Sequence, residues 1–383
     1  VSRYLEGYTA GLGARSLRPS ALPQPVAAPA PAVTFEERTK RELHPLDAFP
    51  RLLACADANL PPEPGDRFRF EWFGLSYLAP ERDGFRLRLR APGGVLRTYQ
   101  MREVAELARV CGSGCVEINE RADLDISVVN VVEAPEALRL AEAAGFSTRG
   151  CGGDQVLAIL MDPMAGIAPG QGLDVTPYAV RLEQCIHQGR EFADLPGPCV
   201  ISLSGDQSAD IRLAASNAGF RLGAGSLRDL GTWLRADQAV HACVELLRLY
   251  LREADRSDRQ RARFSSCFAA WDGERFLAAL EQALGTKLPR ETSSVMPVDA
   301  PSSWPARGFS AWPQKQPGLH VAAIAAPTAR WLSADWEALA QWADLFGAGR
   351  VRLTASGAAL IPSVISTEVE PLRAAWRERF PNY

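Results

Sequence analysis

Two stretches of this 383-residue chain, 84–127 and 318–361, follow one local plan: strand, proline turn, amphipathic helix, Gly-x-Gly, then two short strands. The first runs from Gly84 through Leu87, Leu89 and Pro92 to Gly112-Ser113-Gly114 and Val116. The second runs from Gly318 through Val321, Ile324 and Pro327 to Gly347-Ala348-Gly349 and Val351. Gly112 and Gly347 lie 235 residues apart, and Ala105/Ala340, Val116/Val351 and Ile126/Ile361 keep that spacing. A duplicated module split by a long insertion implies a pseudo-twofold core, with a site where the insertion leaves it. The predicted architecture is α+β: two halves of one repeated domain around a larger α/β insert.

The repeat sets the domain plan. Residues 1–34 read as a short helix over 3–12 and an extended tether carrying Pro23, Pro25, Pro29 and Pro31. Residues 35–129 form the first half, opening on a charged lead-in from Phe35 to Asp47 and a helix through Leu53; Arg67 to Phe73 alternates as a strand does. The central block, 130–288, mixes both periods. It holds a helix from Pro135 to Ala144, a buried strand from Val156 to Met161, strands at 200–203 and 210–213, and helices over 236–252 and 259–285. Thr176 is placed to cap a helix through Gln188, with Pro177 in its first turn. Residues 289–317 contain six prolines and read as a second tether, and 318–383 form the second half, ending in a helix from Glu368 to Arg379.

Composition excludes several classes. With 47% hydrophobic and 23% charged residues the chain is an ordinary globular one. A net charge of −3 gives no general pull toward nucleic acid or anionic membrane. No apolar run approaches the ~20 residues of a membrane helix, and Val1 to Leu5 lacks a signal core. The expectation is a cytoplasmic protein whose eight cysteines stay reduced. None of them forms a Cys-x-x-Cys pair, and the four histidines are scattered, so zinc signatures are absent.

The remaining chemistry is cationic. Alternate residues of a strand share a face, so Arg86, Arg88 and Arg90 point one way and Leu87 and Leu89 the other. Three guanidiniums in a row suit a polyanion, with Arg121 placed to join them; equally, they suit an edge paired to local acids. Arg149 sits in a Gly-rich loop, Phe146 to Asp154, that leads into a strand. It is not a dinucleotide fingerprint, which follows a strand and opens a helix; a plain tight turn is the simpler reading.

Taken together, several motifs are specific. Lys40-Arg41-Glu42, the run Leu87 to Gly94, Thr148-Arg149-Gly150, Pro163 to Ile167 with Asp174, and the second repeat make residues 35–361 resemble the sirohaem-dependent nitrite and sulfite reductases, above all the assimilatory nitrite reductases. The resemblance implies that the two halves are ferredoxin-like half-domains around a sirohaem-reductase-type α/β domain. It also implies sirohaem coupled to a four-iron cluster, six-electron reduction of nitrite or sulfite, and basic residues that bind the haem carboxylates and the substrate anion. Arg88 and Arg121 match two of those basic positions, and Arg90 and Arg149 are further candidates for binding the cofactor or an anion.

Other positions depart. Leu157 and Ala158 stand where the family carries Arg-Asn, Pro198 and Val200 where it carries lysines, and no cysteine follows Cys267, although the family's cluster cysteines come after the second repeat. Losing one preorganised donor costs about 10²–10³ in rate, and no local charge replaces a thiolate. The expectation is therefore a reductase-like subunit with no metal ligand and no catalytic residue of its own. It would bind sirohaem and a 4Fe-4S cluster only with a further C-terminal segment or a cysteine-bearing partner, or else assemble as a homo-oligomer. Two alternatives stand beside it: a non-catalytic structural or regulatory paralogue, and a tetrapyrrole-handling protein like precorrin-3B synthase, whose loop Leu195-Pro196-Gly197 resembles.

Overall fold

The computed structural model describes residues 33–78, 84–170, 173–204, 206, 208–216, 219–290, 308–326 and 330–382, which lie in one compact unit. The expected helix over 3–12, the tether up to residue 32, residues 291–307 and Pro327 lie outside the described residues.

Three helices lead in: α1 (Phe35–Glu42), α2 (Phe49–Ala58) and α3 (Pro64–Phe70). The first half follows as β1 (Leu75–Tyr77), β2 (Phe85–Leu89), β3 (Val95–Arg97), α4 (Thr98–Cys111), β4 (Cys115–Ile118), β5 (Leu124–Val129) and α5 (Ala134–Ala143). The insert holds β6 (Val156–Leu160), α6 (Thr176–His187), β7 (Cys199–Ser202), β8 (Ile211–Ser216), β9 (Gly219–Ala224), β10 (Trp233–Leu234), α7 (Ala239–Glu253), α8 (Phe264–Cys267) and α9 (Gly273–Leu284). The second half is β11 (Gly308–Pro313), β12 (Leu319–Ala325), β13 (Trp331–Leu332), α10 (Ser333–Phe346), β14 (Arg350–Leu353) and β15 (Ala358–Ile365), and α11 (Val369–Arg379) ends it.

Each half builds a five-stranded sheet, in the orders β1-β2-β5-β4-β13 and β11-β12-β15-β14-β3. β3 and β13 are exchanged, each completing the sheet of the other half. Their registers, Leu96 opposite Val351 and Trp331 opposite Val116, are interchanged by the 235-residue shift. On α4 the apolar positions Met101, Val104, Ala105 and Ala108 are buried at helical spacing, and Trp336, Leu339, Ala340 and Ala343 are their counterparts on α10. Both helices lie in one core shared by the two sheets. Burying each of the larger side chains contributes roughly 1.5–3 kcal/mol. The helices also end alike: the N–H groups of Gly114 and Gly349, at φ +74° and +63°, donate to the carbonyls of Ala108 and Ala343 at 2.8 and 3.0 Å.

The insert has its own sheet, ordered β10-β9-β8-β7-β6, in which β6, β7 and β8 run parallel and β8, β9 and β10 antiparallel. Side chains of α6, α7 and α9 share its core. Val156, Ala158 and Ile159 of β6 are buried, as in a parallel strand covered on both sides.

Four local expectations change. Residues 67–73 are helical, in α3 and a following 3-10 turn. Pro64 starts that helix, and adjacent Arg69 and Phe70 are both buried because the Arg69 guanidinium is consumed inside, by Asp66 at 3.1 Å and the Thr39 carbonyl at 2.9 Å. Within the expected second tether, residues 308–313 instead pair with β12 as the counterpart of β1, so the repeat extends further upstream than its helix-centred pattern indicates. Helix α5, read as the opening of the central block, turns Ala134, Ala137, Leu138 and Ala141 into the core shared by the two halves, which Phe146 also joins. Thr176 does not cap α6. Its N–H donates to Asp174 Oδ1 at 3.0 Å, and its buried hydroxyl has no partner among the described residues. Among the described residues no helix is long and apolar enough to cross a membrane.

Candidate anion-binding site

β2 and β5 lie side by side, with Arg88 directly opposite Asp125. The Arg88 fork closes on that carboxylate, Nε to Oδ1 at 2.7 Å and Nη2 to Oδ2 at 2.9 Å, and Asn119 Nδ2 adds a bond to Oδ1 at 2.9 Å. Burial opposes the Arg88 charge, yet Asp125 more than offsets it and holds the guanidinium above its ordinary value.

Two residues on, Arg90 is 2% exposed. Its Nε meets both oxygens of Glu183 at 2.8 and 2.7 Å, and Nη1 donates to the carbonyls of Gly150, Val156 and Leu157 at 2.8, 3.1 and 3.1 Å. Arg90 thus staples the end of β2 to the Gly-rich loop, β6 and α6. Arg86 is exposed. The three arginines expected to share one polyanion-facing surface therefore have three separate fates, and local acids take two of them.

Arg121 differs. It follows β4, where the Asn119 side chain accepts from the backbone N–H groups of Arg121 and Asp123. The guanidinium reaches the Cys151 carbonyl at 3.3 Å, and its ion-pair partner among the described residues is solvent-exposed Glu120, 3.7 Å away, with Asp123 acting on it at longer range. Burial first, and then the Arg88 charge, push its pKa down. A partly desolvated cation with so little acidic pairing is a candidate seat for an anion.

Arg149 lies exposed on the Gly-rich loop. It acts on His187, whose pKa falls well below the ordinary value through burial and then through Arg90 and Arg149. The loop is closed from inside: Gly150 sits at φ +76° and a Cβ there would overlap the His187 ring. Lys40, from the Lys-Arg-Glu lead-in, reaches Asp154 Oδ2 at 3.0 Å and the Leu195 carbonyl at 3.2 Å. It pins the Gly-rich loop and the Leu-Pro-Gly loop to α1.

The structure thus gathers Arg88, Arg90 and Arg121 around Cys151, while Arg149 is exposed on the same Gly-rich loop. The sequence reading missed Asp123, Asp125, Glu183 and His187. The signal for Asp125 was available, because an antiparallel β2–β5 pair sets the Arg and Asp of two alternating strands opposite each other. Glu183 and His187 stand four apart on α6, a spacing visible only once that helix is known to face β2. Asp123 accepts from the Ala91 N–H at 2.8 Å, and burial raises its pKa to about 6 against the pull of Arg90.

The described residues do not fit an iron centre. No three of their His, Cys, Asp or Glu side chains stand where they could hold a metal ion together. Burial raises the Cys151 thiol far above its ordinary value and that of Cys243 to about 12. Leu157, Ala158, Pro198 and Val200 bring no side-chain donor. What remains is Arg121 as a candidate seat for an anionic group.

Residues 78–144 match the family model described as the nitrite/sulfite reductase ferredoxin-like half domain. Over 332 residues the chain is 29% identical to the chloroplastic ferredoxin–nitrite reductase of Arabidopsis thaliana, covering 79% of this chain and 56% of that protein. It is 27% identical over 340 residues to ferredoxin–nitrite reductase of Synechococcus elongatus, covering 82% and 65%. The chain therefore spans little more than half to two thirds of the length of these relatives. Among solved structures, the Mycobacterium tuberculosis NirA protein shares its fold with a TM-score of 0.78 at 21% identity, over 90% of this chain and 69% of that one.

Proposed function

From the premise that this chain belongs to the nitrite/sulfite reductase family, we propose that it is a reductase-like subunit that seats an anion at Arg121. The anion is a carboxylate of a sirohaem-type tetrapyrrole, and the iron ligands come from residues outside those described or from a second polypeptide. The observation that supports this reading is the unequal state of the arginines. Arg88 and Arg90 are neutralised by Asp125 and Glu183, whereas Arg121 is desolvated and, among the described residues, reaches a carbonyl and an exposed Glu120 at 3.7 Å, with Asp123 acting on it without a contact. When bound, the tetrapyrrole supplies the redox chemistry. This chain's own Arg121 would hold and orient the carboxylate, with Arg88 kept in place by its pairing to Asp125.

The test is direct. Purified protein is assayed for iron and absorbance, then titrated with a polycarboxylate tetrapyrrole. Binding is expected to weaken at least about tenfold in Arg121→Ala, the loss of one charge-assisted contact, and less in exposed Arg149→Ala. Binding indifferent to Arg121 would sink the proposal. A protein that binds tetrapyrrole through Arg121, yet gains no viologen-driven nitrite loss with any cysteine-bearing partner, would instead be a structural or tetrapyrrole-handling relative.

A further inference from the structure

The exchanged strands carry a second cationic feature that the Arg121 reading does not use. Where β3 joins β14, Arg97 lies directly opposite Arg350, and Arg352 lies opposite Val95. Cross-strand partners, and residues two apart on one strand, project on the same side, so Arg97, Arg350 and Arg352 share one face while Leu96 and Val351 fill the core. Arg97 and Arg350 are exposed, and neither has an ion pair among the described residues. Arg352 is half-buried and held in place by the carbonyls of Pro163 and Ala165 at 2.9 and 2.7 Å. Burial depresses its pKa and Arg350 adds to that, against the opposing pull of Asp174 and Asp162.

The pseudo-twofold provides an internal control. The equivalent rung, where β13 joins β4, sets Leu332 opposite Cys115. The counterpart of Arg352 there is Glu117, paired with Arg330 at 2.9 Å. One copy of this geometry is electrically satisfied; the other places like charges in register, an arrangement that is destabilising by itself. Arg352, anchored by carbonyls, gives the cluster a fixed base that two exposed side chains can close upon.

We propose that Arg97, Arg350 and Arg352 form a binding site for a compact, multiply charged oxyanion of the phosphate class. Arg is suited to it because its planar fork donates two parallel bonds to such oxygens. The site is independent of the reading given for Arg121.

The experiment uses the full chain and inorganic phosphate, by calorimetry and thermal melting, against chloride at matched ionic strength. Glycerol phosphate forms a second arm, separating a free ion from a phosphoryl group on a larger molecule. Phosphate is expected to raise the melting temperature of the parent protein, with affinity at least about tenfold lower in Arg350→Gln and in Arg97→Gln. Both changes are on exposed side chains that leave the core intact. Without phosphate at low salt, each variant is expected to melt no lower than the parent, because a like-charge contact has been removed. Arg139→Gln, an equal loss of charge on α5, is expected to leave phosphate binding unchanged. No phosphate response in the parent, or equal weakening in all three variants, would overturn the site.

Discussion

The two halves share a backbone but not a surface. On the outward face of the first sheet stand Arg86, Arg88, Arg90, Asp123 and Asp125; 235 residues later the same positions are Val321, Ala323, Ala325, Ala358 and Leu360. Arg88 pairs across the sheet with Asp125, and Ala323 pairs across the sheet with Leu360. In the second half Met164 and Ala168 cover Val321, Ala323 and Leu360 to make a small dry cluster. In the first half the same layer is a network of ion pairs open toward Arg121. Duplication preserved what closes the sheet, namely the helix face and the Gly-x-Gly turn. The outward face was left to diverge, one copy for packing and one for charge.

Placing a charge on the dry face is the most severe way to break this contrast. Leu360→Asp buries a carboxylate among Met164, Val321 and Ala323, and is expected to cost about 3–5 kcal/mol in denaturant unfolding. Adding Ala323→Arg recreates the Arg88–Asp125 rung and should recover part of the loss. A Leu360→Asp protein within about 1 kcal/mol of the parent would mean that the two faces do not differ in dielectric.

Asp123 sharpens the contrast by pH, since its counterpart Ala358 does not titrate. Its folded pKa, raised to about 6 by burial, lies above that of a free carboxyl, so the folded state binds the proton more tightly. Its contribution to stability is greatest below about pH 4 and is lost as pH rises through about 6, on the order of 2–3 kcal/mol. Asp123→Asn keeps an acceptor for the Ala91 N–H and should remove this decline. Parallel stability curves for parent and variant between those pH values would refute the assignment.

The conserved part of the comparison can be tested at Gly112 and Gly347. Added Cβ atoms would stand 2.5 and 2.6 Å from the Cγ2 atoms of Ile126 and Ile361. Each Gly→Ala change is expected to cost about 1–3 kcal/mol by overpacking. The two losses should agree within roughly 0.5 kcal/mol, as independent copies of one contact. A large difference would show that only one turn is tightly packed.

The same division explains what the sequence could reveal. The duplicated elements were legible because core spacing and turn glycines are local: Ala105/Ala340 and Gly112/Gly347 carry the pattern by themselves. The strand exchange was not, since Val95 to Arg97 and Trp331 to Leu332 are too short to announce a partner, and pairing across halves is a tertiary choice. Edge strand β11 was hidden behind prolines, which an edge tolerates. The arginines of the site were visible, but their state was not, because Asp125 and Glu183 come from a neighbouring strand and from a helix 93 residues beyond Arg90. Residue types identified the candidate site, and only the packing separated Arg121 from Arg88 and Arg90.

The smallest expected effect lies where α4 meets α10. Arg102 pairs with Asp344, and Arg109 pairs with Glu337 at 2.8 Å. The pseudo-twofold interchanges these two pairs, because Glu337 is the counterpart of Arg102 and Asp344 that of Arg109. Charge is nonetheless divided unequally: α4 supplies both cations and α10 both acids. Two copies of the first half would set Arg102 against Arg109, so the pairing favours the mixed arrangement over self-association. Double-mutant cycles on the two pairs should give small favourable couplings of matching sign at low ionic strength. Both should vanish near about 1 M salt, where screening acts within about 3 Å. Reversing one pair, Arg102→Asp with Asp344→Arg, should restore its coupling. Coupling in one cycle and none in the other would limit the symmetry to the backbone and deny it to the helix surfaces.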